Sequence, residues 1–408
     1  MGTKRKKFFK IVFWLAAPVV VWFIVHTMAD KVTVETTPPP QDKVVVEPVP
    51  PPQALDTLDS TRRLLLERFD SYLTDPEAYA RLVADQCAQF PEGDLFPYVF
   101  VAMAYSNLAL AGATDRQHAR EQIATLIDLA LPAVIRRLRP PENKLEKLES
   151  YGRQATYLGQ LNLALGCYRL IGGDERFDRI HRRISDILYQ ALVKTDGRPL
   201  DSFPNYSWPF DTIPVLASLK LDDLHSRTSR TDQLVKKHLA WLEQHGRHES
   251  TGLPYSRLGK HKELPRGCDL SLRLCLLAQI DRSKAEALYQ NYTKYFWLER
   301  GIAAGFAEWP RGISRFEDND SGPIILGIGT AASGLGIGTV IAMNDQARLK
   351  RLADQMAMRD TIFALLLSNT DGRQTLGGMI PFSPEYFTGF LFGDAILFYA
   401  ITWQAWEK

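Results

Sequence analysis

GRQATYLGQLNLALGCYRLIGGDERFDRIHRRISDILYQALV, residues 152–193, carries the clearest fold signal in the chain. Its first half is apolar on all sides at helical spacing, through Leu158, Leu161, Leu163 and Leu165. Such a helix is stable in water only when other elements surround it. Gly172–Gly173 end it, and Asp174 stands where a helix N-cap belongs. The second half keeps Ile180, Ile184, Ile187 and Leu188 on one face and its arginines on the other. A buried helix, a tight turn and an amphipathic helix make one hairpin.

The rhythm repeats along the chain. DTIPVLASLKLDDLHSRT (211–228) precedes TDQLVKKHLAWLEQHG (231–246), and GCDLSLRLCLLAQI (267–280) precedes DRSKAEALYQNYTKYFWLERG (281–301). SGPIILGIGTAASGLGIGTVIAMN (321–344) precedes DQARLKRLADQMAMRDTIFALLLSN (345–369). With Pro76 opening a helix at its first turn, the pattern predicts about a dozen helices and few strands. The expected fold is all-α, an (α/α)6 toroid over residues 54–408 with apolar inner and charged outer helices. A tetratricopeptide-like stack is the rival, but its fixed period and signatures are missing. In a toroid, the loops leading into the inner helices line a central funnel, and function concentrates on such loops.

Residues 1–7 are basic, and an apolar run follows, KRKKFFKIVFWLAAPVVVWFIVHTMADK (4–31). Residues 8–29 are long enough to span a bilayer, and the flanking positive charge predicts the N-terminus inside. A cleaved signal peptide is the alternative. Residues 30–53 include TTPPPQDKVVVEPVPPPQ (36–53), an extended spacer because repeated prolines fix φ and lack donors. The expectation is a single-pass inner-membrane protein with its body outside the cytoplasm, where envelope proteins are possible partners.

The charge is nearly balanced at +2. No basic stripe with interleaved aromatics occurs in the body, so nucleic acid is not an expected partner. Cys87, Cys167, Cys268 and Cys275 form no CxxC pair and read as buried free thiols. No HExxH or phosphate-loop GK[ST] occurs, and no metal or cofactor is expected. Calcium on Glu317, Asp318, Asn319 and Asp320 is a lesser alternative, because their spacing is not that of an EF-hand.

RFEDNDSGPIILGIGTAASGLGIG (315–338) reads as an acidic loop followed by a small-residue inner helix. Glycine costs about 1 kcal/mol inside a helix, so this many point to close packing. Glu317, Asp318 and Asp320 fall at that helix's start, where Asp318 or Asp320 is either a cap or a functional acid.

Residues 157–177, 203–242 and 317–334 together resemble linalool dehydratase/isomerase, an (α/α)6 toroid enzyme. The carrying segments are YLGQLNLALGCYRLIGGDERF, FPNYSWPFDTIPVLASLKLDDLHSRTSRTDQLVKKHLAWL and EDNDSGPIILGIGTAASG. The resemblance implies a funnel site reached by Tyr157, Gln160 and the Asn205–Tyr206 loop. It also implies a lyase or isomerase acting on a small hydrophobic alcohol. The family's activity rests on two cysteines and a histidine; the matching positions here are Asp201, Phe210 and Gln160. The resemblance therefore speaks for fold and site location rather than for the reaction.

The funnel loops offer carboxylates and aromatics instead, a combination suited to sugars. Asp211 with Asp318 or Asp320 is the expected acid–base pair. Tyr206, Trp208 and Trp309 are expected platforms for sugar rings, and Arg311 is an expected clamp for acidic groups. Asp201, Asn205, Gln160, Tyr157 and Glu317 complete the expected substrate-binding set. The function expected is hydrolysis, elimination or epimerisation of a glycan; a non-catalytic envelope scaffold is the further alternative.

Overall fold

The computed structural model describes residues 52–87, 91–313, 315, 317–318, 320–359, 383 and 385–407. The basic tail, the expected membrane span and nearly all of the proline-rich spacer lie outside the described residues. The spacer's expected end moves slightly, because the first helix begins at Pro52. Among the described residues no helix is long and apolar enough to cross a membrane.

The fold is mostly helical. Thirteen α-helices occur among the described residues. Six are buried around nearly their whole circumference: α3 (Phe96–Ala111), α5 (Ala155–Leu170), α7 (Thr212–Ser226), α9 (Gly267–Ile280), α11 (Thr330–Ala342) and α13 (Leu391–Ile401). Their partners are amphipathic: α4 (Arg116–Leu138), α6 (Asp178–Lys194), α8 (Asp232–His245), α10 (Arg282–Phe296) and α12 (Gln346–Ala357). Helices α1 (Pro52–Leu73) and α2 (Pro76–Cys87) precede them. Apart from residues 299–303, the described residues form one compact body.

Turns into the amphipathic helices use aspartate. Asp115 accepts the amides of Gln117 (2.8 Å) and His118 (3.0 Å), Asp281 that of Lys284 (3.0 Å), and Asp345 that of Arg348 (3.0 Å). Asp174 accepts the Arg176 amide (2.9 Å) in a 3-10 turn just before α6. Each satisfies donors that a helix start leaves open.

The buried helices contact one another in chain order: α3 with α5, then α7, α9, α11 and α13, and α13 packs back against α3. Side-chain ties cross these seams. Asn162 on α5 donates to Ser185 on α6 (3.1 Å) and Ser218 on α7 (3.0 Å). Phe69 of α1 stacks on Phe398 of α13 at 5.3 Å, and Arg68 pairs with the buried Asp394.

The small residues of α11 serve close packing. A Cβ on Gly336 would lie 2.5 Å from the Phe306 ring, and one on Gly338 would lie 3.0 Å from Cys275 Sγ and 3.1 Å from the Ala400 backbone. Gly338→Leu is expected to destabilise by at least the 1–3 kcal/mol typical of overpacked cores. A lowered urea midpoint checks it, and an unchanged midpoint would remove this account of the glycines.

One expectation is corrected here. Residues 324–329 are not the start of the helix. Ile324–Ile325 (β1) and Ile328–Gly329 (β2) form an antiparallel hairpin, with Ile324 opposite Gly329, and α11 begins at Thr330. Leu326 and Gly327 both have positive φ, 54° and 83°, the backbone of a tight two-residue hairpin turn. Ile328 also bridges to Ala307. A local run of isoleucine and glycine could not distinguish this hairpin from a helical first turn.

Candidate functional site

The segments preceding α3, α7, α9 and α11 converge on a cavity of about 320 Å³. Among the described residues its acidic side chains are Glu92, Asp211, Glu263, Asp269, Asp318 and Asp320, and Arg266 is the one basic residue of the lining. Phe203, Trp208, Phe210 and Trp309 give it aromatic walls. Phe96, Phe100, Leu272, Leu335, Phe392 and Ile396 make another part of the lining apolar.

The segment before α7 is shaped by its own hydrogen bonds. Ser202 and Tyr206 pair through the backbone (2.9 Å), and Asn205 takes a left-handed conformation with φ 71°. The Trp208 amide donates to Ser202 Oγ (3.0 Å), and Tyr206 stacks on Trp208 at 5.6 Å. A 3-10 turn, Pro209–Asp211, then delivers Asp211 to the cavity, 6% exposed. Asp211 makes no side-chain cap of α7.

Arg266 organises the opposite side. Its Nε donates to Glu308 Oε1 (2.7 Å), its Nη2 donates to Asp318 Oδ1 (2.7 Å), and its guanidinium lies 5.3 Å from the Trp309 ring centre. Glu308 is fully buried and also accepts the Cys268 amide (3.1 Å) and thiol (3.1 Å), so it closes the start of α9. Asp318 accepts the Ser321 amide (2.9 Å), which rigidifies its own loop. Neither Asp318 nor Asp320 caps α11, whose N-cap is Gly329.

Most of the cavity's charge is paired. Asp269 chelates Arg273, Glu263 pairs with Arg257 at 2.8 Å, and Glu308 and Asp318 share Arg266. Among the described residues Glu92 and Asp211 have no comparably close cation, and Asp320 lies 3.9 Å from Arg266. Burial raises Glu92 to about 8, and the charges of Asp320 and Asp211 push the same way. Burial raises Asp211 to about 6, partly opposed by hydrogen bonds from Ser202 and Thr156, with Asp269 and Asp320 adding to the rise. Crowding by protein also pushes Asp320 upward, against the pull of Arg266. Its side chain is 61% exposed, however, so cavity solvent screens that push. Asp318 is lowered, because Arg266 and Ser321 outweigh the effect of burial. Burial, then the charge of Glu308, holds the Cys268 thiol well above its ordinary value, so it stays protonated.

Of the expected site residues, Asp211, Asp318, Asp320, Trp208 and Trp309 line this cavity. Tyr206 touches it only through Trp208 and is 52% exposed. Asp201 instead pairs with Arg153 at 3.2 Å and lines a separate cavity on the α6 side. Asn205 also accepts from Arg153 (3.3 Å). Gln160 is buried within α5, and the Tyr157 hydroxyl donates to Asp94 (2.9 Å). Glu317 accepts the Ile324 amide (2.9 Å), fastening the hairpin. Arg311 donates to the Trp297 carbonyl and does not line the cavity; the arginine that does is Arg266.

Sequence reading missed Glu92 and Glu308 as site residues. Glu92 sits in PEGD (91–94), just before a buried helix, where the same rule about funnel loops could have found it. Glu308 follows a strand, Ala303–Phe306, rather than a helix signal. Among the described residues no group of three or more His, Cys, Asp or Glu is placed to hold a metal ion. No protein-family model matches the chain, and no curated protein matches it. Fold and site together define a mostly helical protein of packed helix pairs with an acidic, aromatic-walled cavity where its buried helices begin.

Proposed function

We propose that the closed succession of six buried helices is an (α/α)6 toroid and that its cavity performs acid–base chemistry on a glycan: hydrolysis, elimination or epimerisation. One observation carries this reading. Two carboxyl groups with differently raised proton affinities, Glu92 at about 8 and Asp211 at about 6, share one cavity with the Trp208 and Trp309 rings. Near neutral pH, Glu92 holds its proton and serves as the acid, whereas Asp211 is mostly ionised and serves as the base. Pairs of carboxyls driven apart by their surroundings are how acid and base roles are divided. Aromatic faces offer a sugar ring its stacking surface, and Arg266, held by Glu308 and Asp318, fixes the wall beside Trp309.

A second reading rests on the apolar part of the wall, formed by Phe96, Phe100, Leu335 and Phe392. That surface suits a small hydrophobic alcohol, the substrate class implied by the resemblance to linalool dehydratase/isomerase. Tethering through residues 8–29 would hold either activity at the outer face of the inner membrane.

The test is turnover of neutral and acidic oligosaccharides and of terpenols by the full-length protein, followed against pH. The expected kcat/KM profile on an oligosaccharide is a bell whose limbs fall near pH 6 and pH 8 as properties of the coupled group. Glu92→Gln should remove the alkaline limb. Turnover of terpenols with none of oligosaccharides would replace the glycan reading with the second.

The same groups give a pH effect on stability that needs no substrate. Both folded-state values lie above the ordinary 4.5 of Glu92 and 3.8 of Asp211, so the native state binds their protons more tightly than the unfolded chain. The stability they contribute is full below the ordinary values and is lost as pH rises towards 8. Glu92→Gln is expected to flatten the fall in urea midpoint between about pH 5 and 8; an equal slope in both proteins would contradict the shift.

A further inference from the structure

Behind the first cavity, α7, α8, α9 and α10 enclose a second one of about 180 Å³. Ile213, Leu239, Leu242, Leu277 and Leu288 make its walls apolar. Arg273 also lines it and is 1% exposed. The Nε and Nη2 of that guanidinium donate to Asp269 at 2.9 and 3.2 Å, but Nη1 has no hydrogen-bond partner. A buried charged donor without an acceptor is costly, and native proteins seldom leave one so. Around the lining, Arg247 and Lys284 share the single carboxylate of Glu243, at 3.3 and 2.8 Å, and all three are substantially exposed. This outer group therefore carries net positive charge.

We propose that this cavity is a binding site for a small organic anion, with an apolar body against the leucines and a carboxylate accepting from Arg273 Nη1. The volume sets the size. A cavity of roughly 150 Å³ admits a benzene ring, so a ligand of about the bulk of benzoate fits. Arg247 and Lys284 favour an anion over a neutral or cationic analogue of the same shape. The guanidinium that would hold the ligand is also the one that chelates Asp269 in the first cavity. Occupation would thus draw on the charge that pulls the proton affinity of Asp269 down against burial, and the two cavities would be coupled through one side chain.

The experiment is calorimetric titration and thermal unfolding of the full-length protein with benzoate, using benzyl alcohol and benzylammonium as neutral and cationic counterparts. Benzoate should bind saturably and raise the melting temperature, and the other two should bind at least tenfold more weakly. Ala287, an exposed residue of α10 in the cavity lining, gives a variant that spares the core. Ala287→Phe should weaken benzoate binding at least tenfold with the ligand-free melting temperature retained. Arg273→Lys keeps a cation for Asp269 but removes Nη1, and it should weaken binding similarly. Absence of benzoate binding, equal binding of benzyl alcohol, or undiminished binding in Ala287→Phe would each overturn the proposal.

Discussion

Asp211→Asn is expected to lower turnover about 10³-fold, within the range that one positioned acid or base contributes, while leaving the unfolding midpoint at or above that of the parent. The two halves of this expectation have one cause. Asp211 is 6% exposed and its proton affinity is raised chiefly by burial. Its ionised form is therefore disfavoured by the fold and retained against that cost. Asparagine has the same shape and no charge, so it relieves the burial penalty and keeps an acceptor for Ser202 and Thr156. If Asp211 were only a structural residue at the start of α7, the substitution would move stability and leave kcat alone. Glu92→Gln should cost a similar factor, and the double variant little more, because an acid and a base that act as a unit do not add. The measurement is kcat and KM on the best oligosaccharide beside urea unfolding of the same samples. Unchanged kcat with an intact fold would move the chemistry elsewhere.

Arg266→Ala should cost about 3–5 kcal/mol of stability, the largest folding effect expected of a single side chain here. Its guanidinium is 10% exposed and joins two carboxylates from separate segments, Glu308 at 2.7 Å and Asp318 at 2.7 Å. Removing it strands the charge of Glu308, whose side chain is fully buried. It also frees the 317–321 loop from the start of α9. Arg266→Lys should recover only part of the loss, because an ammonium cannot present a planar fork to both carboxylates. Pairing Arg266→Met with Glu308→Gln should be far milder than Arg266→Ala, since no uncompensated charge stays inside. Urea unfolding of these variants decides the matter. A loss under about 1 kcal/mol in Arg266→Ala would place the pair among weak surface bridges.

The candidate site was legible in part. Asp211, Trp208, Asp318, Asp320 and Trp309 were found because segments leading into buried helices could be located from hydrophobic periodicity alone. Arg311 is the arginine that the sequence sets beside Trp309. In space Arg266, 43 positions earlier than Trp309, stacks on that ring, whereas Arg311 turns to the Trp297 carbonyl. Gln160 and Tyr157 belong to the expected set through the resemblance; in the structure both are buried within α5, and Tyr157 bonds Asp94.

Hydrophobic periodicity and turn residues are enough to read off the helical hairpins, the Asp174 turn and the division into buried and half-buried helices. These follow from patterns within about 20 residues, which local backbone geometry and one-sided burial control. Packing in three dimensions settles which carboxyls share a cavity, which of them keep a counter-charge, and how far each proton affinity moves. Asp320 is far from both Glu92 and Asp211 in the chain, yet its charge adds to the raised proton affinity of each. Desolvation and Coulomb interaction depend on distance in space and on the surrounding dielectric. Neither is written in the order of residues until the helices have packed.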